Sequence, residues 1–338
     1  MADLEQRAQE FRQKVDALRN EVGKVVVGHK AVVDQVIICL LAGGHALLEG
    51  VPGLGKTLLV RTLAKCLSLK FSRIQFTPDL MPADILGTNI VVEEGGRRSF
   101  QFQQGPIFGN LVLADEVNRA TPKTQSALLE AMQEACVTVA GKRYELGHPF
   151  FVLATQNPIE MEGTYPLPEA QLDRFMFKIE VRSSSLADLV TVIDRTTGAA
   201  TPEPQAVTSG QDILTMRALA REVPIASHVK EFAARLVLAS HPEEADAAPV
   251  AKKFLRFGAS PRGAQSLVLA GKLMALMKGR FNVSVEDIKE AAYPALRHRL
   301  IRNFEGEAEG VSSDAIVKDL IASVPDVPKR VEKLLAAE

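Results

Sequence analysis

The chain has 338 residues, 46% of them apolar and 24% charged, with a formal net charge of −1. That length allows two domains, and the composition is that of a globular protein able to bury a core of normal size. The near-neutral balance excludes a bulk field that would draw the protein to nucleic acid or an anionic membrane. The longest apolar region, Val32 to Leu48, is broken by Asp34, Gln35 and His45 and is too short and too polar to span a bilayer.

Three scattered cysteines, Cys39, Cys66 and Cys136, make neither a metal-type pair nor a disulfide framework and read as small core hydrophobes. A charged, helix-like N-terminus without a signal-peptide pattern predicts a soluble protein, and the cysteine usage fits a reducing cytoplasm.

In chain order, apolar spacing at Leu4, Ala8, Phe11, Val15 and Leu18 predicts a first helix over residues 3–21. A second helix, Ala31 to Ala42, leads through Gly43-Gly44 to a short apolar strand, Ala46 to Leu48. A glycine-rich turn follows, then an apolar helix from Lys56 to Leu67. Phe71–Phe76, Asn110–Ala114, Phe150–Thr155 and Phe175–Val181 read as buried strands, and Lys123 to Ala135 as a helix opened by Thr121-Pro122. Strands alternating with helices predict βαβ units and a parallel sheet.

Two stretches break the rhythm. Residues 88–104 alternate around Glu94-Gly95-Gly96, and residues 136–149 around Gly141, which predicts two hairpins. Residues 198–210, rich in Pro, Ala and Thr, read as loop or linker. Helical periodicity dominates from Ile213 onward, with helices starting at Ser260-Pro261 and at Ser284 with Asp287. The expected organisation is an N-terminal helix (1–20), an α/β core (21–183), a linker (184–210) and a helical domain (211–338).

Residues 50–57, GVPGLGKT, match G-x-x-x-x-G-K-[ST] between a strand and a helix. Gly50, Gly53 and Gly55 let the backbone turn its amides toward phosphates, and the following helix aims its N-terminus at the same anion. Lys56 reaches the β- and γ-phosphates, and Thr57 offers its hydroxyl to Mg2+. The intervening and flanking residues Val51, Pro52, Leu54 and Leu58 complete the expected ATP-binding loop.

In LVLADE, residues 111–116, an apolar strand ends in two carboxylates. Asp115 is placed to hold the metal, directly or through water, and Glu116 to orient and deprotonate the attacking water. ATQNP, residues 154–158, ends another apolar strand. Asn157 there is either a hydrogen-bonding partner of that water or the γ-phosphate, or a turn residue before Pro158.

GVPGLGKT, LVLADEVNRATPKTQSALLEAM, ATQNPIEMEGTYPLPEAQLDRF and ASPRG, in this order, resemble the MoxR family of AAA+ ATPases over about residues 25–302. The resemblance implies a P-loop NTPase AAA+ core of the α/β class with a parallel sheet ordered 5-1-4-3-2, followed by an all-α helical lid. The two hairpins fall where that group carries a helix-2 insert and a pre-sensor-1 insert. The resemblance also makes Asn157 the sensor-1 residue, Arg174 of LDRF an arginine finger serving a neighbour's ATP, and Arg262 of SPRG the sensor-2 residue. It sets Val26, Val27 and Gly28 beside the adenine, with His29 where glutamine is frequent. The bland reading of Arg174 is a surface pair with Asp173 or Glu169. An arginine at a helix N-terminus, as Arg262 is, opposes the helix dipole unless an anion compensates.

The implied function is ATP hydrolysis with Mg2+, coupled to remodelling, maturation or cofactor insertion of a partner protein. A homo-oligomeric, hexameric ring and a von Willebrand factor A-domain partner are the expected assembly. Two alternatives stay open. One is a nucleic-acid motor using Arg97, Arg98, Lys142 and Arg143 on the hairpins. The other is an assembly switch with little turnover, against which the catalytic base Glu116 argues. The basic stretch Arg297, His298, Arg299 and Arg302 lacks interleaved aromatics and reads as a solvated or subunit-facing helix end rather than a nucleic-acid patch. Nucleic acid is therefore not the expected partner.

Overall fold

The computed structural model describes residues 2–51, 53–94, 96–158, 163–198 and 202–326. The elements run α1 (Ala2–Val25), α2 (Lys30–Ala42), β1 (Ala46–Glu49), α3 (Lys56–Cys66), β2 (Phe71–Gln75), α4 (Pro82–Leu86), β3 (Gly87–Glu94), β4 (Arg97–Gln104), β5 (Leu111–Asp115), α5 (Pro122–Glu134), β6 (Cys136–Val139), β7 (Lys142–Glu145), β8 (Phe151–Gln156), α6 (Glu169–Leu172), β9 (Phe177–Glu180) and α7 (Leu186–Thr197). They continue with α8 (Gly210–Glu222), α9 (Ser227–Leu238), α10 (Pro249–Phe254), β10 (Leu255–Phe257), α11 (Pro261–Met277), α12 (Val285–Leu296), β11 (Ile301–Arg302), α13 (Phe304–Ala308) and α14 (Ser313–Ser323). The chain divides into two compact units. One comprises 16–168 and 179–214, the other 1–15, 169–178 and 215–338.

The first unit is an AAA ATPase domain built on a five-stranded sheet ordered β2-β5-β8-β1-β9. Counting only these five strands along the chain, the order is 5-1-4-3-2, as expected. The pairs β2/β5, β5/β8 and β8/β1 are parallel. β5 is buried at every position and β8 at all but its last, the pattern of strands covered on both faces. His45 fastens helix α5 to this sheet. Its Nδ1 accepts the Val152 amide at 3.0 Å, and its Nε2 lies 3.0 Å from the Met132 carbonyl, so that nitrogen carries the proton.

Both hairpins form. β3 and β4 pair antiparallel from Gly87↔Gln104 to Glu94↔Arg97, and β6 and β7 from Cys136↔Glu145 to Val139↔Lys142. Phe102 of the first stacks on Tyr144 of the second, with ring centroids 4.0 Å apart. The expected linker contains helix α7, whose cap Ser185 accepts the Asp188 amide. Arg195 ties α7 to the C-terminus of α1 by donating to the carbonyls of Gly23 and Lys24.

The second unit is the helical lid. Ser260 caps α11 by accepting the Arg262 amide, and Pro261 occupies its first position. Ser284 and Asp287 form the reciprocal capping box of α12. An antiparallel ribbon of β10 and β11 accompanies the helices. Thr121 occupies the N-cap of α5, with its hydroxyl 3.3 Å from that of Thr124 instead of on a helix amide. Among the described residues no helix is long and apolar enough to cross a membrane.

Candidate active site

The loop between β1 and α3 is shaped by glycine where the backbone demands it. Gly53 and Gly55 have φ of +84° and +74°, left-handed values that cost other residues. Gly50 fails for a different reason, because a Cβ there would stand 2.7 Å from the Val181 carbonyl. Helix α3 opens on Gly55 with no side-chain cap, so its first amides are left for an anion. Pro52 lies outside the described residues; Val51 and Leu58 are exposed.

The Lys56 ammonium donates to the Gly50 carbonyl at 2.6 Å. Burial lowers its pKa, and the charges of Asp115, Glu116 and Glu49 oppose that shift. Thr57 follows in the first turn of α3, half-buried. Val26 and His29 line a small apolar recess with Val32, Leu48, Leu54, Gly55, Lys56, Leu59 and Val181, so His29 stands beside the phosphate loop. Val26, Val27 and Gly28 also border a cavity of about 590 Å³. Gly28 has φ +80°, and a Cβ there would meet the Asp188 carboxylate at 2.6 Å.

At the end of β5, Asp115 is nearly buried (9% exposed). Its Oδ1 accepts from the Thr155 hydroxyl at 2.7 Å, and its Oδ2 from Arg73 Nη2 at 2.7 Å. The next residue, Glu116, takes a left-handed backbone (φ 57°) that is rare outside glycine and asparagine. The Thr155 oxygen accepts the Glu116 amide at 2.8 Å. The Glu116 carboxylate accepts from Gln75 Nε2 at 2.9 Å and from Arg119 Nη1 at 3.0 Å. Asn157, just past β8, is buried. Phosphate loop, acidic pair and asparagine thus all lie at the carboxyl ends of neighbouring parallel strands, the ligand-binding end of such a sheet.

Among the described residues no group of three or more acidic, histidine or cysteine side chains forms a self-sufficient metal cage. One carboxylate and one hydroxyl beside an anion cradle form instead the donor set suited to Mg2+, which takes few protein ligands and completes its shell with phosphate and water. Asp115 and Thr57 fit that ion.

Arg174 and Arg262 belong to the lid unit. Arg174 is half-buried, and its amide donates to the Gln171 carbonyl. Asp173 is engaged by Ser260, by Arg299 Nε at 2.8 Å and by Arg262 Nη1 at 3.4 Å. The expectation for the basic stretch at 297–302 needs correction, because it is turned inward. Arg297 makes a two-bond pair with Asp314, His298 hydrogen-bonds the Phe175 carbonyl, and Arg302 donates to Val311. Arg299 donates to Asp173 and to the carbonyls of Ala295, Phe175 and Met176. Burial and the neighbouring Arg299 charge hold His298 neutral, well below the usual histidine range. On the hairpins, Arg98 pairs with Glu93, Arg143 with Glu145, and Lys142 sits over the Tyr144 ring.

Residues 45–177 match the family described as ATPases associated with various cellular activities (AAA), and residues 247–320 match the AAA lid domain. The chain is 41% identical to Chaperone MoxR1 of Mycobacterium tuberculosis, covering 90% of this chain and 80% of that protein. It belongs to the MoxR family of AAA+ ATPases. Another relative, YeaC of Bacillus subtilis, is 42% identical over 90% of this chain and 92% of its own length. The MoxR protein of Paracoccus denitrificans is 30% identical over 89% of this chain. A crystal structure of a candidate ATPase from Cytophaga hutchinsonii superposes with a TM-score of 0.90 at 44% identity, covering 97% of this chain and 99% of that one.

Within this MoxR core, Arg73, Gln75 and Thr155 surround the acidic pair and were not singled out by motif. Arg73 and Gln75 are alternate residues of the edge strand β2, and Gln75 is the register partner of Asp115. Two polar residues spaced by two in a strand otherwise read as buried are the signal that marks them.

Proposed function

We propose that this MoxR-family chain binds ATP with Mg2+ and hydrolyses it, and that it uses the cycle to remodel a partner protein. The observation that carries the reading is the convergence of Lys56, Asp115 and Glu116, with one threonine hydroxyl holding both acids. The glycine-rich loop 50–55 and the first amides of α3 cradle the phosphates, and Lys56 leaves the Gly50 carbonyl for them. Val51, Leu54 and Leu58 flank the loop. Val26, Val27 and Gly28 border the base, with His29 at the same recess. Thr57 and Asp115 hold Mg2+, which supplies charge neutralisation on the phosphate oxygens.

Glu116 accepts the proton of the attacking water, and Asn157 hydrogen-bonds that water or the γ-phosphate. Arg262 serves as sensor 2, and Arg174 as a finger completing a neighbour's site. A finger that serves a neighbour requires a head-to-tail assembly of copies, and the proposed form is a hexameric ring. The chaperone name of the M. tuberculosis relative supports a protein client, with a von Willebrand factor A-domain protein as the proposed partner and the cytoplasm as the compartment. The three cysteines are buried and in no disulfide, in keeping with a reducing compartment, and burial pushes the Cys66 thiol up to about 11, which keeps it inert.

Glu116→Gln tests the assignment. The amide keeps shape and hydrogen bonding but accepts no proton, so ATP should remain bound while turnover falls by about 10²–10⁴-fold. Unchanged turnover would assign the base elsewhere.

A further inference from the structure

Every oxygen of the Asp115 carboxylate is engaged. Oδ1 accepts from the Thr155 hydroxyl at 2.7 Å. Oδ2 accepts twice from one guanidinium, Arg73 Nη2 at 2.7 Å and Nε at 3.2 Å. A carboxylate oxygen offers about two lone-pair sites, so Arg73 fills those of Oδ2. The same Nη2 donates to Gln75 Oε1 at 2.6 Å, and Gln75 in turn donates to Glu116. Arg73 stands on the edge strand with a side chain 48% exposed, so it has solvent into which to withdraw. Asp115, by contrast, has a side chain only 12% exposed, and a carboxylate so placed is costly without a compensating charge.

We propose that Arg73 is a tethered cation that occupies Oδ2 of Asp115 until nucleotide arrives, and that it gives up this carboxylate when Mg2+ binds there. The inference rests on the ATPase reading above, because it takes Asp115 as the metal-holding carboxylate. Arg73 is then a positioning residue that sets how much Mg2+ the site needs. It keeps Asp115 compensated through the whole cycle, first by the guanidinium and then by the metal. The exchange is feasible because the pair is partly exposed on the arginine side, where ion pairs are weak enough to be outcompeted by a divalent ion. Its release also frees the acceptor oxygen of Gln75, which reaches Glu116. Arrival of the metal is thereby coupled to the residue that activates water.

The test is equilibrium binding of ADP by calorimetry at a series of free Mg2+ concentrations, which involves no turnover. In the wild-type chain ADP affinity should rise with Mg2+ to a plateau. In Arg73→Gln, which removes the competing charge from a half-exposed position, the Mg2+ midpoint should fall by about three- to tenfold. Arg73→Lys keeps a charge but offers one donor in place of the fork, and its midpoint should fall by less; it decides the matter alone should Arg73→Gln not fold. A midpoint in these variants within about twofold of wild type, or above it, overturns the inference. Wild-type ADP binding that is absent, or indifferent to Mg2+, overturns the ATPase reading itself.

Discussion

Thr155 carries more of this site than its position in an apolar strand suggests. It is 1% exposed, and its single hydroxyl accepts the Glu116 amide at 2.8 Å and donates to Asp115 Oδ1 at 2.7 Å. Thr155→Val preserves volume and β-branching while deleting both bonds. Leaving the Glu116 amide without its partner costs about 1–3 kcal/mol, and the lost bond to an ionised carboxylate about 1.5–3 kcal/mol. The two bonds share one oxygen and are not additive, so a combined loss of about 3 kcal/mol is expected. For a unit of this size each kcal/mol shifts the midpoint by about 2–4 °C, which places the fall at about 6–12 °C. Turnover should fall as well, because that bond holds Glu116 in its left-handed conformation. ADP affinity measured without Mg2+ should change little, since Lys56 and the glycine loop are untouched. Thr155→Ser restores the hydroxyl and should recover most of both properties. Thermal unfolding by circular dichroism and a phosphate-release assay read the two effects. A Thr155→Val protein with wild-type midpoint and turnover would refute the bridging role.

Arg174→Ala should fold, bind ATP and lose about 10³–10⁵ in turnover, and co-expression with Lys56→Ala should recover part of the activity through composite sites. Normal turnover by Arg174→Ala alone would exclude the finger. Shortening either hairpin at Gly96 or Gly141 should spare basal ATPase and impair coupling to a client, measured as loss of client stimulation; collapse of the basal rate would instead make the hairpins structural. Arg299→Ala leaves Asp173 without its buried partner and should cost the lid about 3–5 kcal/mol, read as a lowered denaturant midpoint. An unchanged midpoint would mean that the buried network contributes nothing net.

How much of this was legible in the sequence follows from the range of each interaction. The central strands announce themselves because strands covered on both faces are continuous apolar runs, as Leu111–Ala114 and Phe151–Ala154 are. Lys56 and its glycines are a local motif, and both hairpins carry alternation around a glycine turn. Helix α7 was legible too: Leu186, Leu189, Val190 and Ile193 repeat at helical spacing behind a Ser185 cap, but the Pro- and Ala-rich stretch after it drew the whole region into a linker. The ribbon of β10 and β11 is too short for any period to register. The partners of Asp115 and Glu116 depend on strand register, since Arg73 and Gln75 precede them by some forty positions and only the β2/β5 pairing brings them alongside. The basic stretch was misread for a related reason. Charge density says nothing about where Asp173 and Asp314 will stand, and those two carboxylates decide that Arg299 and Arg297 turn inward.

Phosphate release by the purified wild-type chain, with and without Mg2+ and beside Lys56→Ala, tests ATP hydrolysis at this site most directly. Turnover should require Mg2+ and vanish in Lys56→Ala together with ATP binding, because the ammonium held at 2.6 Å from the Gly50 carbonyl is the loop's cation for the phosphates. Wild-type ATP affinity in Lys56→Ala, or phosphate release that persists in it, would contradict the assignment of the site.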